Sequence, residues 1–279
     1  MKLSHNIIKS GENLTNNEFV KHACDKLNHV YQNSENVSRL AYLLDRGRPR
    51  EKILAWISQD KWKYSSDISL ISIHIPKTAG TTLLNYINNQ YSPRSVLTCY
   101  GDWRDVQQVN NNIQAMHGHI FADTSWVKNH SAKKITWLRE PMMRLISQYY
   151  YWKTTADPQA TSSLVREVLN GLPFEEYIDH NICKNFYTNH WFKGVDMEMF
   201  DFIGIVEKFH TDIHRMKEIL KWNPIKILKK RNQNIHKNYS DTVNRLLQNK
   251  KLVDKIKKNN EHDYKLYYKH GGVSEAVTL

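Results

Sequence analysis

The sequence predicts an α/β architecture, a parallel β-sheet flanked by helices, with a separate helical extension ahead of it. Three observations carry this reading. From about residue 66 onward, short apolar runs bounded by turn residues alternate with stretches of helical spacing. Before that point the apolar spacing is helical only. The 279 residues are enough for one large or two small domains with a real core.

In order along the chain, Phe19, Val20, Ala23, Leu27, Val30 and Tyr31 recur at helical spacing. Val37, Leu40, Ala41 and Leu44 predict a second helix that ends near Gly47. Pro49 can open a third, with Ile53, Leu54, Trp56 and Ile57 on its apolar face. Residues 1–65 therefore read as a helical region and residues 66–279 as the main domain. There, Ile68–Ile75 is a strand, Thr81–Asn89 a helix, and Lys133–Leu138 a second strand. Pro141–Trp152 is a helix with proline in its first turn. Phe200–Val206 is a strand with the composition of one buried on both faces. Phe209–Trp222 is an amphipathic helix, and Val243–Tyr268 reads as one long terminal helix.

Between the first strand and its helix the chain reads His74-Ile-Pro-Lys-Thr-Ala-Gly-Thr-Thr82. A turn alone does not need the lysine. A strand-to-helix loop offers free backbone N–H groups and the positive end of a helix dipole. Gly80 permits close backbone approach, Thr78, Thr81 and Thr82 add hydroxyls beside Ala79, and Lys77 adds a charge. The expected ligand is a phosphate or sulfate group. The segment is not a Walker A loop, which places its lysine after the second glycine; here Lys77 precedes Gly80.

The second anion candidate is Arg139-Glu-Pro-Met-Met-Arg144-Leu-Ile-Ser147-Gln-Tyr149. Arg139 follows a strand and can fork two N–H bonds onto a phosphate. Ser147, two turns into the helix, can add a hydroxyl to the same group.

Together the two segments resemble the nucleotide-binding signatures of PAPS-dependent sulfotransferases, in particular the heparan sulfate 2-O-/6-O-sulfotransferase-like family (sulfotransferase family 2). The resemblance spans roughly residues 68–270, about one domain, and includes Asn185–Gly194 and Phe202–Phe209. Glu140 stands where the family more often has Asp. The resemblance implies a P-loop-NTPase-like sheet. It implies that Lys77 to Thr82 hold the 5′-phosphosulfate of PAPS (3′-phosphoadenosine 5′-phosphosulfate), that Arg139 and Ser147 hold the 3′-phosphate, and that Lys230 or Arg231 assists from a late basic loop. It further implies that His117-Gly-His119 is the segment of the 2-O-sulfotransferase branch in which the second histidine is the base. His119 is then the catalytic base and His117 its accessory, while Lys77 stabilises the leaving oxygen.

Histidine suits proton removal because its ordinary pKa lies near neutrality. A His-x-His pair can also offer two metal ligands, but no partner carboxylate or cysteine lies at a recognisable spacing, so no metal is expected. His74 reads as structural and His190 as an acceptor-site candidate. Trp103, Trp126, Tyr149–Trp152, Tyr187 and Trp191 are core or pocket aromatics.

The formal net charge of +12 fits a polyanionic partner or a multiply charged nucleotide. No run of eighteen apolar residues occurs, and the first residues lack a signal-peptide core, so neither a membrane span nor export is expected. Cys24, Cys99 and Cys183 are scattered and odd in number, which fits a reduced cytoplasmic interior. The expected activity is sulfonate transfer to a hydroxyl, in preference to an amine, of a small metabolite or carbohydrate, with no nucleic-acid partner. The alternatives are a P-loop nucleotide kinase or hydrolase, and a non-catalytic polyanion binder.

Overall fold

A computed structural model describes residues 68–91, 95–99, 113–156, 162–223 and 239–273. All of them lie in one compact unit, Ser65–Gln107 with Asn112–Leu279. The predicted helices of residues 1–65, Trp103, and the basic loop with Lys230 and Arg231 fall outside the described residues.

Five parallel strands form the sheet: β1 (Leu70–Ile73), β2 (Val96–Cys99), β3 (Ala115–Gly118), β4 (Lys133–Leu138) and β5 (Phe202–Ile205), in the order β2-β3-β1-β4-β5. Parallel pairing requires crossovers that cover the faces, so the central strands are enclosed; β1 and β3 are buried at every position. After β1 the chain crosses to one side of it for β2 and β3, then returns to the other for β4 and β5. The C-terminal ends of β1, β3 and β4 flank that switch point, where open α/β sheets bind ligands.

The helices are α1 (Gly80–Gln90), α2 (Ser125–Asn129), α3 (Pro141–Thr155), α4 (Ser163–Leu169), α5 (Phe174–Tyr177), α6 (Phe209–Leu220), α7 (Tyr239–Gln248), α8 (Lys250–Asn259) and α9 (Glu261–Lys269). One core cluster joins Leu83, Tyr86 and Ile87 of α1 and Ile213 and Met216 of α6 to Ile135, Trp137 and Phe202 of the sheet. A second gathers the buried face of α3 with residues of α4, α5, α7 and α8. Burying a side chain of Leu or Ile size in such clusters contributes about 1.5–3 kcal/mol.

Three expectations change. β2 and β3 go unpredicted; β3 reads Ala-Met-His-Gly, with no alternation and no β-branched residue, and β2 is mostly outside the core, so neither carries a buried apolar run. β5 is shorter than expected, Phe202–Ile205 rather than Phe200–Val206, and it lies at the sheet edge with Ile203 half-buried. The single helix expected over Val243–Tyr268 is three helices, broken at Asn249 and Asn260. The Asn249 side chain accepts the Leu252 N–H (3.2 Å), and the buried Asn260 side chain donates to the Ile256 carbonyl (3.0 Å) and accepts the Asn185 N–H (2.9 Å). Side-chain amides that bond the backbone in this way compete with helix continuation.

Candidate active site

The β1–α1 loop is held in an unusual shape. Lys77 (φ 72°) and Ala79 (φ 63°) both take left-handed backbone conformations, which non-glycine residues adopt at a cost. Ala79 is the N-cap of α1, and no side chain caps the helix or places a carboxylate in its first turn. The N-cap side chain is a methyl that bonds nothing, and no carboxylate of the first turn offsets the positive helix end, a setting suited to an anion. The Thr78 hydroxyl donates to the Ile75 carbonyl (2.9 Å) and is committed to holding the loop. Thr81 is exposed and Thr82 buried in the first turn.

Gly80 is not left-handed. A Cβ there would stand 2.2 Å from Cε1 and Nε2 of His74, so the glycine is required by the imidazole lying against it. Burial and the neighbouring Arg139 pull the Lys77 ammonium down from 10.5 to about 8. Its Nζ lies 3.9 Å from the centroid of the Tyr151 ring, a cation–π contact across to α3.

Arg139 follows β4, the strand beside β1. Its Nη1 donates to the Lys77 carbonyl (3.3 Å), so the two predicted anion segments meet. Its Nε is buried with no hydrogen-bond partner among the described residues; Glu207 Oε1 stands 4.0 Å away, beyond hydrogen-bond reach. The buried Tyr187 fixes the Arg139 backbone from both sides: the Arg139 N–H donates to the phenol oxygen (3.1 Å), and the phenol donates to the Arg139 carbonyl (2.8 Å).

Glu140 caps α3 by accepting the Met143 N–H (2.6 Å) and is bonded by the Tyr264 phenol. Burial raises its pKa, and hydrogen bonds to Tyr264 and the backbone of Met143 and Met142 oppose that rise. Arg144 is buried rather than exposed, with its guanidinium 3.9 Å from the Phe186 ring centroid. Ser147 is buried in the second turn of α3, on the face shared at helical spacing by Arg144 and Tyr151.

β3 delivers the histidines. Its register pairs His117 with Ser72, and the Ser72 hydroxyl meets His117 Nδ1 at 2.9 Å. His117 is fully buried; desolvation and then His119 lower its pKa to about 3, against a hydrogen bond to the Gly80 backbone. Gly118 (φ 153°) has no room for a side chain, since a Cβ would stand 1.9 Å from the Cys99 carbonyl oxygen. That tight passage lets the His119 N–H reach the same carbonyl (2.6 Å) and turns the chain out of the sheet.

His119 is half-buried, with the His74 ring 5.4 Å and the Trp191 ring 5.8 Å away. Trp191 ends a π-helical turn, Tyr187–Trp191, and stacks on Phe121 (5.1 Å). Asp263 of α9 secures the start of this turn, accepting the N–H groups of Tyr187 (2.8 Å) and Thr188 (2.9 Å). π-Helical turns are common at functional sites. Here one turn supplies both Tyr187 for Arg139 and Trp191 for His119. His190 is exposed, and Trp126 packs against His130.

The sequence reading overlooks Glu207 and Tyr267. Glu207 is the second residue after β5, much as Arg139 is the first after β4, and that position was a usable signal. Its Oε1 accepts the Glu140 N–H (3.1 Å) and its Oε2 accepts from the Tyr267 phenol (3.0 Å). Among the described residues no three His, Cys, Asp or Glu side chains are grouped to hold a metal ion, and no helix is long and apolar enough to cross a membrane.

Every residue of this sheet edge lies within the span of one family model. The model of the Sulfotransferase family matches residues 60–269, three quarters of the chain, and the chain belongs to that family. Among solved structures it is similar to mouse sulfotransferase SULT7A1 complexed with PAP, at 14% identity and a TM-score of 0.33, over 60% of this chain and 63% of that one, less than two thirds of its length. A search of curated proteins gives no match.

Proposed function

We propose that the protein transfers a sulfonate group from PAPS to a hydroxyl of a small metabolite or carbohydrate, with His119 as the base. The observation that carries the reading is the meeting of the two anion segments, Arg139 Nη1 on the Lys77 carbonyl at 3.3 Å, beside the histidine-bearing end of β3. The residues fit a nucleotide with phosphate at both ends. The uncapped start of α1 and a depressed, partly buried Lys77 favour one anionic group, and the unpartnered Nε of Arg139 favours a second.

PAPS, when bound, supplies an activated sulfonate joined to phosphate through an anhydride oxygen. In the overall exchange the sulfur–oxygen bond to the nucleotide breaks, and one to the acceptor oxygen forms. The acceptor's proton passes to His119, which is half-buried between the His74 and Trp191 rings. Lys77 balances charge on the leaving oxygen, in the manner of phosphoryl transfer. His117 is too poor a base at neutral pH for that step and serves to hold the segment against Ser72.

Calorimetric titration with PAP, with and without magnesium, and then with 5′-AMP tests the reading. Metal-independent binding that requires the 3′-phosphate is expected. Magnesium-dependent binding of ATP instead would indicate a kinase, and salt-steep binding of polyanions with no preference for PAP a polymer binder. His119→Ala should keep PAP affinity and lose the one-sulfonate mass gain on an acceptor; unchanged turnover would remove the base from its role.

A further inference from the structure

We infer that His74 is a positioning residue that seats the proposed base His119 against the donor loop, and that position 80 is glycine in order to admit its ring. The inference rests on the reading of His119 as the base. Four observations converge on this side chain. Its backbone N–H donates to the Gly118 carbonyl (2.7 Å), tying the end of β1 to the residue before His119. Its ring stacks on His117, with centroids 5.3 Å apart and planes 13° from parallel. The same ring stands 5.4 Å from that of His119. It also occupies the space above Gly80, where any Cβ would collide with three of its ring atoms at 2.2 to 2.4 Å.

His74 thus lies against the first residue of α1 on one side and, on the other, against His117 of β3 and His119 just past its end. Burial, followed by the nearby His117, His119 and Lys77, keeps its imidazole neutral, so the ring contributes shape rather than charge. A displacement of the loop at Gly80 is passed to His119 through a close-packed ring that cannot compress. Gly80 accordingly serves two neighbours: an uncapped helix start for the anion and a flat seat for the imidazole.

Histidine-labelled protein resolves the test, with the His119 ring signal assigned by its loss in His119→Gln. Gly80→Ala is expected to move the His119 signal, because the methyl displaces His74. In a His74→Ala background the same Gly80→Ala change should leave His119 unmoved. An equal shift in both backgrounds, or none in the first, overturns the inference.

The nucleotide arm uses PAP. In the unsubstituted chain, saturation with PAP should move the His119 signal. In His74→Ala, PAP should bind within about twofold of the unsubstituted affinity, the scatter expected of independent sites, while the His119 response is lost. His74→Phe, which keeps a flat ring over Gly80, should retain the response. A full response in His74→Ala, or its loss in His74→Phe, counts against the inference. Failure of the unsubstituted chain to bind PAP would instead defeat the donor assignment, and the paired alanine substitutions would still decide the role of His74.

Discussion

The turns β1–α1 and β4–α3 leave adjacent strands at the same edge of the sheet and lead into helices, yet they are built on opposite plans. The first keeps its helix start uncapped, holds Lys77 and Ala79 in left-handed backbone, and places its cation in the loop. The second fills its helix start with the Glu140 carboxylate and Pro141, and places its cation, Arg139, ahead of the helix. A helix end occupied by a carboxylate has little left to offer a phosphate. The first turn is therefore a backbone cradle, whereas the second is a side-chain fork aimed by Tyr187 and Glu207. On the proposed reading, similar positions in a parallel sheet serve anions by two unlike routes.

The comparison breaks most sharply at Arg139. Arg139→Ala should cost PAP about 1.5–3 kcal/mol of affinity, the range for a hydrogen bond to a charged group, and should barely affect 5′-AMP. Equal losses for both nucleotides in calorimetry would show that the fork does not read the 3′-phosphate.

The cradle should show itself through pH. Lys77 loses its proton at about 8 in the ligand-free chain, and a bound anion holds that proton on. Affinity for PAP should therefore fall above pH 8, by up to about tenfold per unit for one linked proton. The ligand-free chain should move the other way. Its folded pKa is depressed from 10.5, so between about 8 and 10.5 the unfolded chain binds more protons and stability from Lys77 rises with pH. A Lys77→Met chain that keeps either trend would remove Lys77 as its source.

The smallest effect falls on Glu140. Glu140→Ala should lower stability by about 0.5–2 kcal/mol, as for other lost N-caps, and change PAP affinity less than Arg139→Ala does. A denaturation midpoint that does not move would deny the carboxylate its capping role.

The two candidate anion segments stand out in the sequence because their chemistry is local: a lysine, a glycine and threonines between a strand and a helix, and an arginine after a strand and ahead of a proline. β1, β4, α1 and α3 were legible from period and length. What escaped depends on distant parts of the chain. β3 becomes a strand by pairing with β1 and β2, not by its propensity. Glu207 meets Arg139 across 68 positions because β5 lies beside β4. The sequence offers Gly80 as room for an anion; the fold adds a second demand, since its tightest neighbour is an imidazole six residues earlier, a contact only the folded loop creates.

Tyr187 has a consequence for how far the sheet reaches. Its single oxygen both receives the Arg139 N–H and donates to the Arg139 carbonyl, the two bonds a neighbouring peptide would otherwise make. A phenol thereby takes the place of a strand partner at the residue after the last pair, Leu138 with Ile205. Burial pushes that phenol well above its ordinary range, so it remains a donor even in alkaline solution. The guanidinium consequently projects from anchored backbone instead of from a loose end.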